Sequence, residues 1–269
     1  MCLIFVAHRA HPRYPLIVAA NRDEFHARPT APAAPWPAAA GETEIFAGRD
    51  LEAGGTWMGV TREGRFAALT NYRNPAGAKR DAPTRGKLVS GFLAGRASAR
   101  AYVGDLEREG ERYNGFSLLV HDGDELLCYS NAANLITELP AGVHGLSNHL
   151  LGSPWPKVTR GVERLAALLA APADPADLTG AFFALLADDA IPADHELPET
   201  GVGLERERVL SPMFVRGEVY GTRSSTVLLV GEAGNIRVEE RSFDAGVREI
   251  GRVSHEWRAQ AVPPPRRSR

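Results

Sequence analysis

The chain has 269 residues, 44% hydrophobic and 24% charged, with 31 basic and 33 acidic side chains and a formal net charge of -2. That balance excludes a global basic field for nucleic acid, and no apolar run approaches the ~20 residues of a membrane-spanning helix. Two cysteines, Cys2 and Cys128, exclude a disulfide framework and make a reducing, cytoplasmic setting the expectation.

The first twenty residues read as two strands, Cys2–Ala7 and Leu16–Ala20, around a turn at His11-Pro12-Arg13. No basic region precedes the first run, so it does not read as a secretory signal. Prolines 29, 32, 35 and 37 predict a loop from Arg28 to Gly41. Short strands follow at Glu44–Ala47, Thr56–Val60 and Arg65–Thr70, the last two joined at Arg62-Glu63-Gly64. Helical periodicity predicts Gly86–Leu93, capped by Thr84, and then Ser98–Glu109.

Asp122-Gly123 joins strands Phe116–Val120 and Glu125–Ser130, a strong hairpin signal. A further strand pair is expected at Leu135–Glu138 and Val143–Leu146. Ser153 with Pro154 reads as the start of a helix through Val158–Ala170. Asp177–Leu186, after Asp174-Pro175, reads as a second amphipathic helix. Strands Glu218–Thr222, Ser225–Val230 and Asn235–Ser242 close the pattern. Hairpins with helices grouped between them predict antiparallel sheets with helices on their outer faces, an α+β chain. One domain over residues 1–258 and a disordered Pro/Arg-rich tail over 259–269 are expected.

Cys2 stands directly after the initiator methionine. Removal of Met1 would put a thiol (pKa ~8.5) and an α-amine (~7.7–8.0) on one residue, close enough in basicity for the amine to take the thiol proton. Such a nucleophile needs no separate histidine. The other reading of Cys2 is a small buried hydrophobe.

The polar run Asn21-Arg22-Asp23-Glu24 follows the second strand. Beside Cys2, Arg22 would favour thiolate and Asp23 would orient the protonated amine; as a solvated turn the run would stabilise little. Asn71 and Asn148, each at a strand end, offer side-chain amides to a developing oxyanion, worth about 2.7–4 kcal/mol, or serve as turn residues. Arg223, between two apolar strands, is either buried and paired or at an edge. Gly54-Gly55 lacks a phosphate-loop lysine and reads as a tight turn. His8, His11, His144 and His149 show no zinc spacing, so no metal site is expected.

Taken together, these motifs resemble the NRDE family, also called the transport and Golgi organisation protein 2 family. Met1-Cys2, Ala19-Ala20-Asn21-Arg22-Asp23-Glu24-Phe25 and Arg28-Pro29 carry the resemblance. So do Ala47-Gly48-Arg49-Asp50, Gly54-Gly55-Thr56-Trp57, Thr70-Asn71-Tyr72-Arg73, Leu146-Ser147-Asn148 and Gly221-Thr222-Arg223-Ser224-Ser225, in order to about residue 230.

That family in turn resembles N-terminal-nucleophile (Ntn) hydrolases of the penicillin V acylase and bile salt hydrolase type. The resemblance implies a four-layer αββα sandwich with Cys2 as nucleophile. Arg22 and Asp23 match its supporting pair, Asn71 and Asn148 the two site asparagines, and Arg223 the late arginine. The hydrolases separate their arginine and aspartate by a few residues, whereas here the two are adjacent, so either Asp23 or Glu24 faces the amine.

The implied function is an amidohydrolase or acyl-transfer enzyme acting on a small non-peptide amide or acyl compound, with no cofactor required. The alternative, drawn from the same family, is non-catalytic binding and trafficking of haem or of a lipid or acyl-CoA, with Cys2 and one of His8, His11 or His26 as haem ligands. A third reading is an inactive relative that keeps the fold to bind a partner.

Overall fold

The computed structural model describes residues 2–37, 43–171 and 175–259, with the side chains of 175–177 outside that description. Met1, the end of the Pro/Ala segment, Asp174 and residues 260–269 of the expected tail lie outside it. Ala259 lies within it and donates to Gly234 O.

Strand β1 (Cys2–His8) is buried along its whole length and pairs antiparallel with β2 (Leu16–Phe25). The run reads as continuously apolar because both faces are covered. Ile4 and Val6 point into the layer between two sheets, while Leu3, Phe5 and Ala7 point toward helices. Strand β2 continues through Asn21-Arg22-Asp23-Glu24, beyond the end at Ala20 that its apolar run predicts.

The expected loop contains strand β3 (Thr30–Pro35), paired only with β4 (Ile45–Asp50) and irregular between Ala31 and Ala34. Its prolines are tolerated because an edge strand has a side that needs no N–H donors. The sheet continues through β5 (Met58–Thr61) and β6 (Phe66–Asn71). Helix α1 (Gly86–Ala94) has Arg85, not Thr84, at its N-cap, with no side-chain cap bond. Helix α2 (Ala99–Glu109) is capped by Ser98, whose side chain accepts from Ala101 N.

Strands β7 (Phe116–His121), β8 (Leu126–Ser130) and β9 (Leu135–Glu138) complete the seven-stranded sheet, ordered β3-β4-β5-β6-β7-β8-β9. Strand β10 (Gly142–Leu146) does not pair with β9; it crosses to the other sheet and pairs with β1.

Helix α3 (Pro156–Ala170) has Trp155 at its N-cap. The expected cap, Ser153, instead sends its hydroxyl to Leu150 O. Helices α4 (Pro175–Leu186) and α5 (Leu204–Leu210) follow. Strand β11 (Tyr220–Val230) unites two expected strands around an irregularity between Thr222 and Ser224. Then come β12 (Asn235–Phe243) and a strand not expected, β13 (Glu249–Arg258). The six-stranded sheet is ordered β10-β1-β2-β11-β12-β13.

Three apolar layers result. Ile4, Val18, Phe46, Phe66, Leu119 and Leu228 fill the space between the sheets. Phe5, Ile17 and Val227 pack on α3 and α4, and Leu69, Leu118 and Val120 pack on α1 and α2. The order is helices, sheet, sheet, helices: an αββα sandwich, as expected. Among the described residues no helix is long and apolar enough to cross a membrane.

Candidate active site

The start of β1, the ends of β2 and β6, the residues before α1 and strands β11 to β13 enclose a cavity of about 670 Å³. Cys2, Arg22, Asp23, Asn71 and Arg223 line it; Asn148 is not among the lining residues. Antiparallel register puts Cys2 directly opposite Arg22, and period-2 alternation puts both on the inter-sheet face with Glu24.

Asn21 and Asp23 fall on the other face. Asn21 donates to Leu186 O and Met213 O, both at 2.8 Å, and accepts from Ser225 Oγ at 2.6 Å. With all of these bonds made, it ties β2 to the helical layer.

Cys2 is a buried free thiol, 7% exposed. Burial pushes its pKa up, Asp23 and Glu24 add to the rise, and Arg22 opposes it. The thiol is therefore held protonated until a base takes its proton. Arg22 donates to Thr30 Oγ1 at 3.3 Å and lies 3.7 Å from Glu24. Asp23 accepts from Thr222 Oγ1 at 2.7 Å, and its carbonyl accepts from Tyr220 OH at 2.9 Å. Burial pushes the Asp23 carboxyl up, with Lys157 and the Thr222 bond opposing. Of the two acids left open by sequence, Glu24 shares the thiol's face and Asp23 sits on the face opposite.

Asn71 and Asn148 are brought together: Asn148 Nδ2 donates to Asn71 O at 3.0 Å. Asn148 is fully buried, and its carbonyl accepts from Arg73 N at 2.7 Å. Ser147 Oγ donates to Cys2 O at 3.4 Å, so this segment also holds the start of β1. Arg223 occupies the β11 irregularity, where an extra residue re-aims a side chain. Its Nη1 donates to the carbonyls of Phe25, His26 and Arg28 at 2.9–3.2 Å.

Four further residues shape the site. Lys157, 2% exposed, donates to Leu210 O at 2.8 Å, and burial lowers its pKa to about 8 with Asp23 foremost in opposing the fall. It shares a helical stripe with Gly161 and Leu165, a signal visible in the sequence. Glu240, 4% exposed, accepts from Ala33 N and Thr226 Oγ1, bridging the sheets at the cavity wall. It has the parity of Ile236 and Val238 in β12, which also marks it in the sequence. Thr222 flanks Arg223. Arg85, in an irregular segment, left no periodic signal; its Nη1 donates to Gly115 O at 2.9 Å and it lines the cavity.

No histidine is among the cavity's lining residues. His8 lies at the far end of β1 from Cys2, six steps or about 20 Å along the strand, and bonds Leu139 O. His11 stacks on Tyr14 and accepts from Arg13 N. His26 Nε2 bonds Gly217 O. A haem held by Cys2 with His8 or His11 does not fit this arrangement. His149 is engaged by Tyr72 OH and Ser153 Oγ, and His144 by Pro140 O. Among the described residues no group of three or more His, Cys, Asp or Glu is placed to hold a metal ion. Cys128, in the inter-sheet core, is pushed to about 12 by burial and is inert at neutral pH.

A family model described as Transport and Golgi organisation 2 matches residues 1–245. A Bos taurus protein described as a Transport and Golgi organization protein 2 homolog is 35% identical over 97% of this chain and 100% of its own. The Homo sapiens homolog is 36% identical over 90% and 93%. The fold is similar to conjugated bile acid hydrolase from Clostridium perfringens, solved as a mutant with its second-position cysteine changed to alanine (TM-score 0.50, 8% identity, 97% of each chain). It is also similar to the Caenorhabditis elegans ortholog of N-acylethanolamine-hydrolyzing acid amidase (TM-score 0.51, 13% identity, 85% and 92%).

Proposed function

The chain belongs to the Transport and Golgi organisation 2 family, and from that premise we propose that it is an N-terminal-cysteine amidohydrolase or acyl-transfer enzyme acting on a small acyl compound. The observation that carries the reading is Cys2 at the head of a buried strand, opposite Arg22 and opening on a polar cavity of about 670 Å³. The two structural neighbours, a bile acid hydrolase and an ortholog of an acid amidase, lend support through their fold.

Loss of Met1 would free the α-amine of Cys2. That amine, titrating at about 7.7–8.0, takes the proton that burial holds on Sγ. Sγ then bonds the acyl carbon, and the carbonyl oxygen becomes an oxyanion. Asn71 offers its side-chain amide to that oxyanion, with Asn148 holding the Asn71 carbonyl from behind. Collapse breaks the carbon–nitrogen bond, and the departing nitrogen takes the proton back from the ammonium. Water, deprotonated by the same amine, attacks the thioester, releasing acid and regenerating the thiol; another acyl acceptor in place of water gives transfer. Arg22 steadies the thiolate as it forms, Asp23 steadies the ammonium, and Arg223 fixes the turn after β2.

Intact mass of the mature protein, followed by an acyl-amide and acyl-thioester panel against Cys2→Ala, tests the scheme. The expected result is loss of Met1 and turnover that vanishes in the variant. Retained Met1, or undiminished turnover in Cys2→Ser, removes the reading. A saturable hemin Soret shift lost in Cys2→Ala would favour the binding alternative instead.

A further inference from the structure

We propose that the compound taken by this cavity carries an anionic group, a carboxylate or a phosphate, drawn in by the guanidiniums of Arg85 and Arg223. The inference deepens the acyl-enzyme reading and rests on it for the position of Cys2.

The argument starts from the arginines that line the cavity. Arg28 is bound to Asp50 at 2.8 and 3.0 Å and to Glu52 at 3.3 Å. Arg252 is bound to Glu249, and Arg22 lies 3.7 Å from Glu24. Arg49, Arg85 and Arg223 have no carboxylate at ion-pair distance among the described residues. Arg49 is covered by the Trp36 ring, whereas Arg85 and Arg223 are engaged only through Nη1. Gly115 O accepts from Arg85, and three carbonyls of the 25–28 turn accept from Arg223. Carbonyl acceptors orient a guanidinium without cancelling its charge.

Both are held by backbone. Arg223 sits at the β11 irregularity. Arg85 precedes Gly86, whose chain packs so closely on Gly55 that a Cβ there would come within 2.5 Å of the Gly86 carbonyl carbon. The two cations reach the cavity from opposite sheets, Arg223 from β11 and Arg85 from the segment that leads into α1.

The acids of the cavity do not restore the balance. The lining holds six arginines, at 22, 28, 49, 85, 223 and 252, against five acids, Asp23, Glu24, Asp50, Glu52 and Glu240. Asp50 and Glu52 are taken by Arg28, and Glu24 by Arg22. Asp23 is held by a hydrogen bond to Thr222, and Glu240 by bonds to Ala33 N and Thr226. A chain with formal net charge -2 therefore carries a local positive field where Cys2 opens. Such a cleft raises the local concentration of anions by about 10-fold or more, and a guanidinium fork matches carboxylate or phosphate.

The test compares alkylation of Cys2 by iodoacetate and by neutral iodoacetamide in the full chain, located by peptide mass. Each reagent forms a carbon–sulfur bond and releases iodide. The expected result is an anion-to-neutral rate ratio about 10-fold above that of the urea-unfolded chain, reduced by added salt. Arg85→Met and Arg223→Met should each lower the ratio toward the unfolded value. Arg85→Lys should retain much of it, and circular dichroism checks that each variant is folded. Protection of Cys2 from iodoacetamide by octanoate marks a carboxylate ligand, and protection by inorganic phosphate marks a phosphate.

A folded ratio equal to the unfolded one, a ratio indifferent to both Met variants, no reaction with either reagent, or protection by neither anion overturns the inference. Anion preference in a chain whose Cys2→Ser variant keeps full turnover leaves the cavity assignment standing and removes the nucleophile. The opposite pattern removes only the assignment.

Discussion

Thr222 Oγ1 donates a 2.7 Å hydrogen bond to Asp23 Oδ1 across the β2–β11 pair, on the opposite face of the sheet from Cys2 and Arg22. The same hydroxyl accepts from Val215 N at 2.9 Å. Asp23 is held above its usual range by burial, and this bond is one of the contacts that limit the rise. Loss of a hydrogen bond to the charged form favours the neutral one. In Thr222→Val the Asp23 carboxyl should therefore titrate higher than in the unaltered chain. Thr222→Ser, which keeps the hydroxyl, should not move it. Carbon-13 NMR of labelled aspartate reads the midpoint directly; an unmoved Asp23 resonance in Thr222→Val contradicts the account.

Arg73 and Glu207 form an ion pair whose side chains are only 4% and 3% exposed, at 2.5 Å. Glu207 also accepts from Thr200 N and Oγ1, and Arg73 lies over the Trp155 ring at 4.8 Å. Removing one member of such a pair strands the other and costs about 3–5 kcal/mol, whereas replacing both with apolar groups costs far less. Urea unfolding should show Glu207→Ala destabilised by that amount, with Arg73→Met/Glu207→Met less destabilised than the two single changes summed. Additive losses would mean that the pair is not coupled.

Gly161 in α3 has no room for a side chain. A Cβ there would lie 1.9 Å from Phe5 Cζ, on the strand that Cys2 heads. Gly161→Ala must push α3 from β1 or force Phe5 off its rotamer, an overpacking penalty of about 1–3 kcal/mol. Phe5→Leu should recover part of that loss in the double variant. If Phe5→Leu adds its own loss in full, α3 does not press on Phe5.

Antiparallel sheets with helices on their outer faces were legible because the strands fall in hairpins with helices grouped between them. The four-layer αββα order came from the resemblance to Ntn hydrolases; the apolar runs of β1 and early β2 agree with strands covered on both faces. The residues alone left Cys2, Arg22 and Asp23 open between a site and a buried hydrophobe or solvated turn, and it was the resemblance that singled them out. The register puts Cys2 opposite Arg22 with Asp23 next along β2. The continuation of β2 was not legible. Four successive polar residues read as a turn unless each finds a partner, and the partners of Asn21 and Asp23 come from Leu186, Met213 and Thr222, far along the chain.

Strand β13 was hidden for a different reason. It is a largely exposed edge bearing Glu249, Arg252 and Glu256, and charge is how edges resist further pairing. Strands β9 and β10 were found, but their assignment to different sheets depends on long-range pairing that local pattern does not carry. Lys157 and Glu240 left parity signals that pointed inward, while Arg85 left none because a segment without regular structure has no period.

At the far end of β1 the His8 and His121 rings meet edge to face at 5.8 Å, with His121 only 6% exposed. Burial first, then the His8 charge, lowers His121 to about 4, and burial also lowers His8. An unfolded histidine titrates near 6.5, so between about pH 6.5 and 4 the unfolded chain binds more protons than the folded one. Stability is therefore full above about pH 6.5 and falls as pH drops through that window, by up to about 3 kcal/mol for His121 alone. Urea unfolding at pH 7.5, 6, 5 and 4.5 should show this slope, and His121→Phe, which keeps an apolar ring beside His8, should flatten most of it. An unchanged slope in His121→Phe would place the acid sensitivity elsewhere, with the buried ion pairs as the next candidates.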